Sequence, residues 1–151
     1  MCSQDAAQRA RLLKRLSFVI FSAPLDSYAS QVPTILEKLV ESLKMSTRNV
    51  LLQVLLCLRV LIVRISAQHL NPLWPLVVTE LSRIFQSSKA EPLLLLSAFK
   101  FLDVCLVLNL EGFHLFRWAF LGSEHNTSWA FLDSEQSTSF RPMAMQCIPE
   151  D

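Results

Sequence analysis

The chain has 151 residues, of which 52% are hydrophobic and 18% charged, and a formal net charge of +1. Its length suits one domain with a real core, and the near-neutral balance excludes an overall field that would steer it towards nucleic acid or an acidic substrate. Ordinary soluble domains carry ~25% charged residues, so this chain has more apolar surface than a lone globule hides, which implies neighbours.

Ser3 offers an N-cap for a first helix ending near Phe21, with Leu12, Leu13, Leu16, Val19 and Ile20 gathered on one side. The other side is basic, through Arg9, Arg11, Lys14 and Arg15. These cations before LSFVIFSA imitate a signal peptide only loosely, because Asp5 intrudes and the apolar run barely reaches the lower limit of ~7–15 residues. After Ala23-Pro24, Asp26 or Ser27 offers a second helix start, and Val32, Ile35, Leu36, Leu39, Val40 and Leu43 keep a 3.6-residue rhythm to about Met45. Pro33 either kinks that helix or marks its first turn.

Residues 50–85, VLLQVLLCLRVLIVRISAQHLNPLWPLVVTELSRIF, read as two strongly apolar helices. A helix hydrophobic nearly all round is buried against other helices, so this stretch is the middle of a helical stack. Ser46 or Thr47 caps the third helix, which runs to about Ile65, and Asn71-Pro72 opens the fourth. The buried stripe of the fourth is Leu76, Val77, Leu81, Ile84 and Phe85. Arg59 and Arg64 are costly to bury alone and are expected to edge the stack or pair with Glu37, Glu41 or Glu80. Glu91-Pro92 opens a fifth helix to about Leu108, on which Lys100 and Asp103 can pair at i and i+3. Residues 93–110 nearly reach membrane-spanning length, but those two charges each cost ~2.5–3.5 kcal/mol near its middle. With Gln53, Arg59 and Arg64 interrupting the third helix as well, both runs read as buried protein helices.

Helix starts roughly 20–25 residues apart fit hairpins repeating every ~40–47 residues, as in armadillo or HEAT stacks. The sequence therefore predicts an all-α fold of stacked antiparallel helical hairpins over residues 1–121. Residues 122–151 form a polar, serine-rich tail with isolated aromatics at Trp129, Phe131 and Phe140, expected to be largely disordered. The sequon Asn126-Thr127-Ser128 is read as unused.

No constellation carries chemistry. His69, His114 and His125 lack a carboxylate or cysteine at ligand spacing. Cys2, Cys57, Cys105 and Cys147 are too far apart for a zinc site or disulfide frame, which predicts reduced thiols in a cytosolic setting. With only Gly112 and Gly122, no phosphate loop can form. The expectation is a non-enzyme with no catalytic, cofactor-binding or metal-binding residue and no small-molecule substrate. Arg9, Arg11, Lys14 and Arg15 remain as a candidate face for anionic lipid or an acidic partner, against the plainer reading of a solvated helix face.

Residues 11–22 (RLLKRLSFVIFS), 35–44 (ILEKLVESLK), 58–81 (LRVLIVRISAQHLNPLWPLVVTEL), 97–108 (SAFKFLDVCLVL) and 116–120 (FRWAF) resemble, in order and spacing, the C-terminal region of the Dopey family. HLNPLWP with the later KFLD and RWAF blocks is the most specific part. Between Phe85 and Leu93 the chain has a short connector where the family often carries a longer polar insertion, and after Phe120 the resemblance fades. Dopey proteins are very large, so the resemblance implies a fragment or short isoform. It further implies a non-enzymatic scaffold or interaction module in Golgi-to-endosome protein transport, peripheral on the cytosolic face of Golgi, trans-Golgi network and endosome membranes and in the cytosol. Its implied partners are a Mon-type scaffold resembling Arf exchange factors and conventional kinesin. Two alternatives stand beside it: a structural segment of a longer solenoid with no independent activity, and a peripheral lipid-binding helix module.

Overall fold

The computed structural model describes residues 2–44, 47–87 and 91–121. Among these residues six α-helices occur and no strand: α1 (Cys2–Ser22), α2 (Val32–Leu43), α3 (Arg48–Arg64), α4 (Trp74–Gln86), α5 (Pro92–Val107) and α6 (Glu111–Leu121). The odd-numbered helices form one layer. In it α3 lies between α1, its most extensive neighbour, and α5; α2 packs on α3, and α4 packs on both α5 and α6. This is the stacked-hairpin architecture that the helical rhythm predicts, with the core running along α3. Val50, Val54, Cys57, Leu58 and Leu61 are all but completely buried there, and each such large side chain contributes about 1.5–3 kcal/mol relative to exposure.

The rhythm locates α2 to α5 because burial imposes it, but several details differ from expectation. On α1 the buried line is Ala6, Leu13, Ser17 and Ile20, while Leu12 and Val19 face solvent. Small residues let α3 approach closely along that line, and Ser17 reaches Cys57 of α3. Helix α1 is already under way at Cys2, so Ser3 lies inside it. Residues after Asp26 form a turn and a single 3-10 turn, Ala29–Gln31, and α2 begins only at Val32. Pro33 thus stands in the first turn, where its missing N–H costs nothing. Two further 3-10 turns, Ala67–His69 and Asn71–Leu73, precede α4, and Asn71 gives no side-chain cap. Thr47 occupies the N-cap position of α3, but its buried hydroxyl finds no partner.

Helix α6 is absent from the sequence-based assignment. It follows a turn in which Asn109 takes the left-handed conformation, φ 49°. The N–H of Leu110 reaches the carbonyl of Cys105 at 3.4 Å, and that of Asn109 reaches Leu106 at 3.1 Å. These paired bonds form a Schellman C-cap, satisfying carbonyls that α5 would otherwise leave open. Rings of Trp74, Phe85, Phe99, Phe113 and Phe120 then join α4, α5 and α6, with centroids 5.2–6.4 Å apart. Such pairs add to the burial of their area.

The link between α1 and α2 is clamped onto the end of α3. Asp26, also left-handed at φ 60°, donates its backbone N–H to the Arg64 carbonyl at 3.0 Å. Its carboxylate accepts the Ser66 N–H at 2.6 Å and the Ser66 hydroxyl. Arg64 donates to the Ala23 carbonyl and lies over the Phe21 ring. Of the three expected carboxylate partners of the two arginines, Glu41 is engaged with Lys38 at 3.1 Å and Glu80 with Arg83 at 2.8 Å, and Glu37 is exposed with no ion pair among the described residues. Arg59 is half-buried with an unpartnered Nε, and burial pushes its guanidinium pKa down.

Candidate interaction surfaces

Metal-ligating residue types do not cluster in the described residues. No three His, Cys, Asp or Glu side chains lie together in a metal-holding group there. His69 is exposed beside the Gln68 amide at 3.1 Å, and the exposed His114 meets the Asn109 Oδ1 at 2.9 Å. Cys57 and Cys105 are buried as free thiols, and desolvation pushes them up to about 11 and about 12. Thiols so buried stay protonated at neutral pH and are poor nucleophiles. His125, Cys147, the sequon and the predicted tail fall outside the described residues.

What the fold does build is surface. Of the four candidate cations on α1, Arg11, Lys14 and Arg15 are exposed, whereas Arg9 is half-buried and turned towards α2. There its guanidinium donates to the Ser42 hydroxyl at 3.4 Å, in a groove of about 680 Å³ lined by Leu12, Leu13, Leu16, Lys38 and Glu41. Helical spacing explains the division, since residues 11, 14, 15 and 18 share one side and residue 9 lies round from it. The structure adds what charge alone does not reveal: Phe18 is 71% exposed and Phe21 57% exposed on the same outward side as the three cations. Aromatic spacing relative to Arg11 and Lys14 was the available signal.

At the far side of the odd layer, α5 exposes Leu93, Leu96 and Val107 along with Lys100 and Asp103. The expected pair does not form: neither Lys100 nor Asp103 has an ion-pair partner among the described residues. Between α2 and α4 a second groove, of about 610 Å³, is floored by Val40, Leu43, Leu76 and two prolines, Pro72 and Pro75. No described helix is long and apolar enough to cross a membrane.

Comparison with known proteins gives one consistent result. The family model for the DOP1 C-terminal region matches residues 2–138, beyond Phe120, where the recognisable blocks end. The chain is similar to Protein DOP1B of Xenopus laevis, 36% identical over 155 residues that cover 78% of this chain and 7% of that protein. Protein DOP1 homolog of Drosophila melanogaster is 39% identical over 90 residues, 58% of this chain and 4% of its own length. Protein pad-1 of Caenorhabditis elegans is 35% identical over 142 residues, 80% of this chain and 6% of its own. The chain thus spans less than a tenth of these relatives. No solved structure matches it.

Proposed function

The chain belongs to the DOP1, or Dopey, family, and from that premise we propose that it is a non-enzymatic interaction module of a Golgi-to-endosome trafficking scaffold. The observation that supports this reading most is where the unsatisfied surface lies. Large apolar side chains are exposed on both outer faces of a helical stack, α1 and α5, and the groove between α1 and α2 is lined by Asp5, Arg9, Lys38 and Glu41, of which the last two pair with each other. Surfaces of that kind recognise other macromolecules. Partners in this reading are a Mon-type scaffold resembling Arf exchange factors and, within the longer proteins, conventional kinesin. The site of action is the cytosolic face of Golgi, trans-Golgi network and endosome membranes.

The test is capture and localisation of the tagged 151-residue chain. The reading expects retention of the Mon-type scaffold over a control helical-repeat protein, and coincidence with trans-Golgi markers in cells. A chain that retains no such scaffold and spreads evenly through the cytosol overturns it. A structural segment without independent activity is then the better account.

One observation favours a second, compatible reading as a peripheral lipid-binding helix. Arg11, Lys14 and Arg15 stand beside the exposed Phe18 and Phe21 on α1. Cations for anionic head groups and rings for the acyl boundary are what a helix lying in a membrane interface presents.

A further inference from the structure

Helix α3 carries the core on one side and leaves the other open. Its buried positions, from Val50 to Ile62, turn towards its main neighbours α1, α2 and α5. Between them Leu52, Leu56, Val60 and Val63 recur at intervals of four, four and three residues, which sets them in one line along the opposite side. None of the four is fully covered: Leu52, Leu56 and Val60 are half-buried and Val63 is 42% exposed. Helices α2 and α4 share a groove and so lie over the same side of the odd layer, away from this line.

The margins of the line hold two polar atoms that the fold leaves unsatisfied. Arg59 Nε, a donor, and Gln53 Oε1, an acceptor, are both enclosed and have no hydrogen-bond partner. Six positions separate them, which places them about 9 Å apart along the helix axis and on opposite margins. The charge of Arg59 is unanswered too. No ion pair among the described residues includes it, and α3 has no acidic residue of its own. Each flanking helix has a single carboxylate within its length: Asp5 of α1 lines the groove beside α2, and Asp103 of α5 is exposed.

An arginine recessed beside an apolar stripe is the kind of anchor on which protein interfaces centre. From this charge complementarity we infer that the open face of α3 docks an acidic amphipathic helix of a partner protein, which covers Leu56, Val60 and Val63 and gives a carboxylate to Arg59. A helix fits because side chains at this spacing form the ridges and grooves that a second helix fills. A carboxylate fits because the planar guanidinium donates to it through two parallel N–H groups. An anionic membrane would meet the projecting Arg11, Lys14 and Arg15 of α1 before a recessed Arg59. The inference deepens the interaction-module reading by naming a face and the chemistry of what it binds. Its test uses purified components, so its failure is separable from a failure of scaffold retention or Golgi localisation.

Fluorescence anisotropy with the whole 151-residue chain is the test, at about 150 mM salt so that exposed charges are screened. The probe is a labelled, end-capped helical peptide of about 20 residues, roughly 30 Å long, with leucine along one side and glutamate on both flanks. Its counterpart carries lysine in place of glutamate. The glutamate peptide is expected to bind at least tenfold more tightly than the lysine peptide. Arg59→Met weakens it by about tenfold or more, and Val63→Glu weakens it as well, whereas replacing Arg11, Lys14 and Arg15 with glutamine leaves it within about threefold. Arg59→Met also leaves the thermal midpoint unchanged or raises it, because an unpaired charge leaves a half-buried place. A merely structural arginine would lower that midpoint when replaced. The inference is overturned by a glutamate peptide that binds no better than the lysine one, by binding indifferent to Arg59→Met or Val63→Glu, by binding lost with the three α1 cations, or by a lowered midpoint in Arg59→Met. Loss of binding to phosphatidylserine vesicles in Arg59→Met overturns it too, by making this the lipid-facing side.

Discussion

At Gly112 a single atom governs how the last helix packs. A Cβ built there would lie 2.0 Å from the Nε1 of Trp74 and 2.6 Å from its Cδ1 and Cε2. The indole is only 5% exposed and rests against Phe113 at 6.1 Å, so it has no open space to move into. Alanine is the better helix former by about 1 kcal/mol, yet overpacking a filled site costs about 1–3 kcal/mol. Gly112→Ala is therefore expected to lower the thermal midpoint by several degrees, followed by circular dichroism. In a Trp74→Ala background the same change should be neutral or stabilising, since the clash is gone. A midpoint for Gly112→Ala alone equal to that of the unaltered chain would defeat this account. The residue also shows why α6 escapes sequence reading: glycine beside Glu111 looks like a helix stop, and nothing local discloses that a distant tryptophan needs the room.

Between elements, the clamp at Asp26 fixes the α1–α2 connection against the end of α3. Hydrogen bonds from the Ser66 hydroxyl and N–H hold the Asp26 carboxyl below its ordinary 3.8. A group whose folded-state pKa is depressed contributes stability that is fully present above the unfolded value and is lost as pH falls through the folded one. Asp26→Asn keeps the size and tolerates the left-handed backbone but has no charge to lose. At neutral pH the unaltered chain should melt higher than Asp26→Asn. The gap should hold down to about pH 4 and close below it. A gap constant from neutrality to about pH 2 would remove the linkage. Apolar periodicity made the helices themselves legible, because Val32, Ile35, Leu36, Leu39 and Leu43 all turn to the core. Element ends were legible only where their chemistry is local, as with Pro33. Asp26 reads as a helix cap in sequence and serves instead a serine 40 positions along, a contact that only the tertiary fold creates. Val40 keeps the rhythm and is nevertheless exposed, because the groove between α2 and α4 leaves that flank open.

Across the whole molecule, a net charge of only +1 conceals a segregated surface. Helix α1 ends the odd layer and has α3 as its main neighbour, so the side facing away from the stack stays free. Arg11, Lys14 and Arg15 project there with Phe18 and Phe21, while Arg9, which the linear sequence groups with them, is drawn into the groove towards Ser42. A basic side chain near an anionic membrane surface is worth about 1 kcal/mol, so three together amount to roughly a hundredfold in affinity. Vesicles containing phosphatidylserine should therefore sediment with the chain, and less of it at higher salt. Replacing Arg11, Lys14 and Arg15 with glutamine should remove about that hundredfold, whereas Arg9→Gln should leave binding within about twofold, its half-buried head contributing little to the field outside. Phe18→Ser, with no change of charge, should weaken binding at every salt concentration, because the ring contributes buried apolar area and not attraction. Binding that survives the triple replacement, or falls as far with Arg9→Gln as with the outward three, would rule out α1 as the lipid-facing side. The distinction among these four cations is what the fold adds: sequence proximity gathers them, and helical rotation against α2 and α3 decides which of them a membrane can meet.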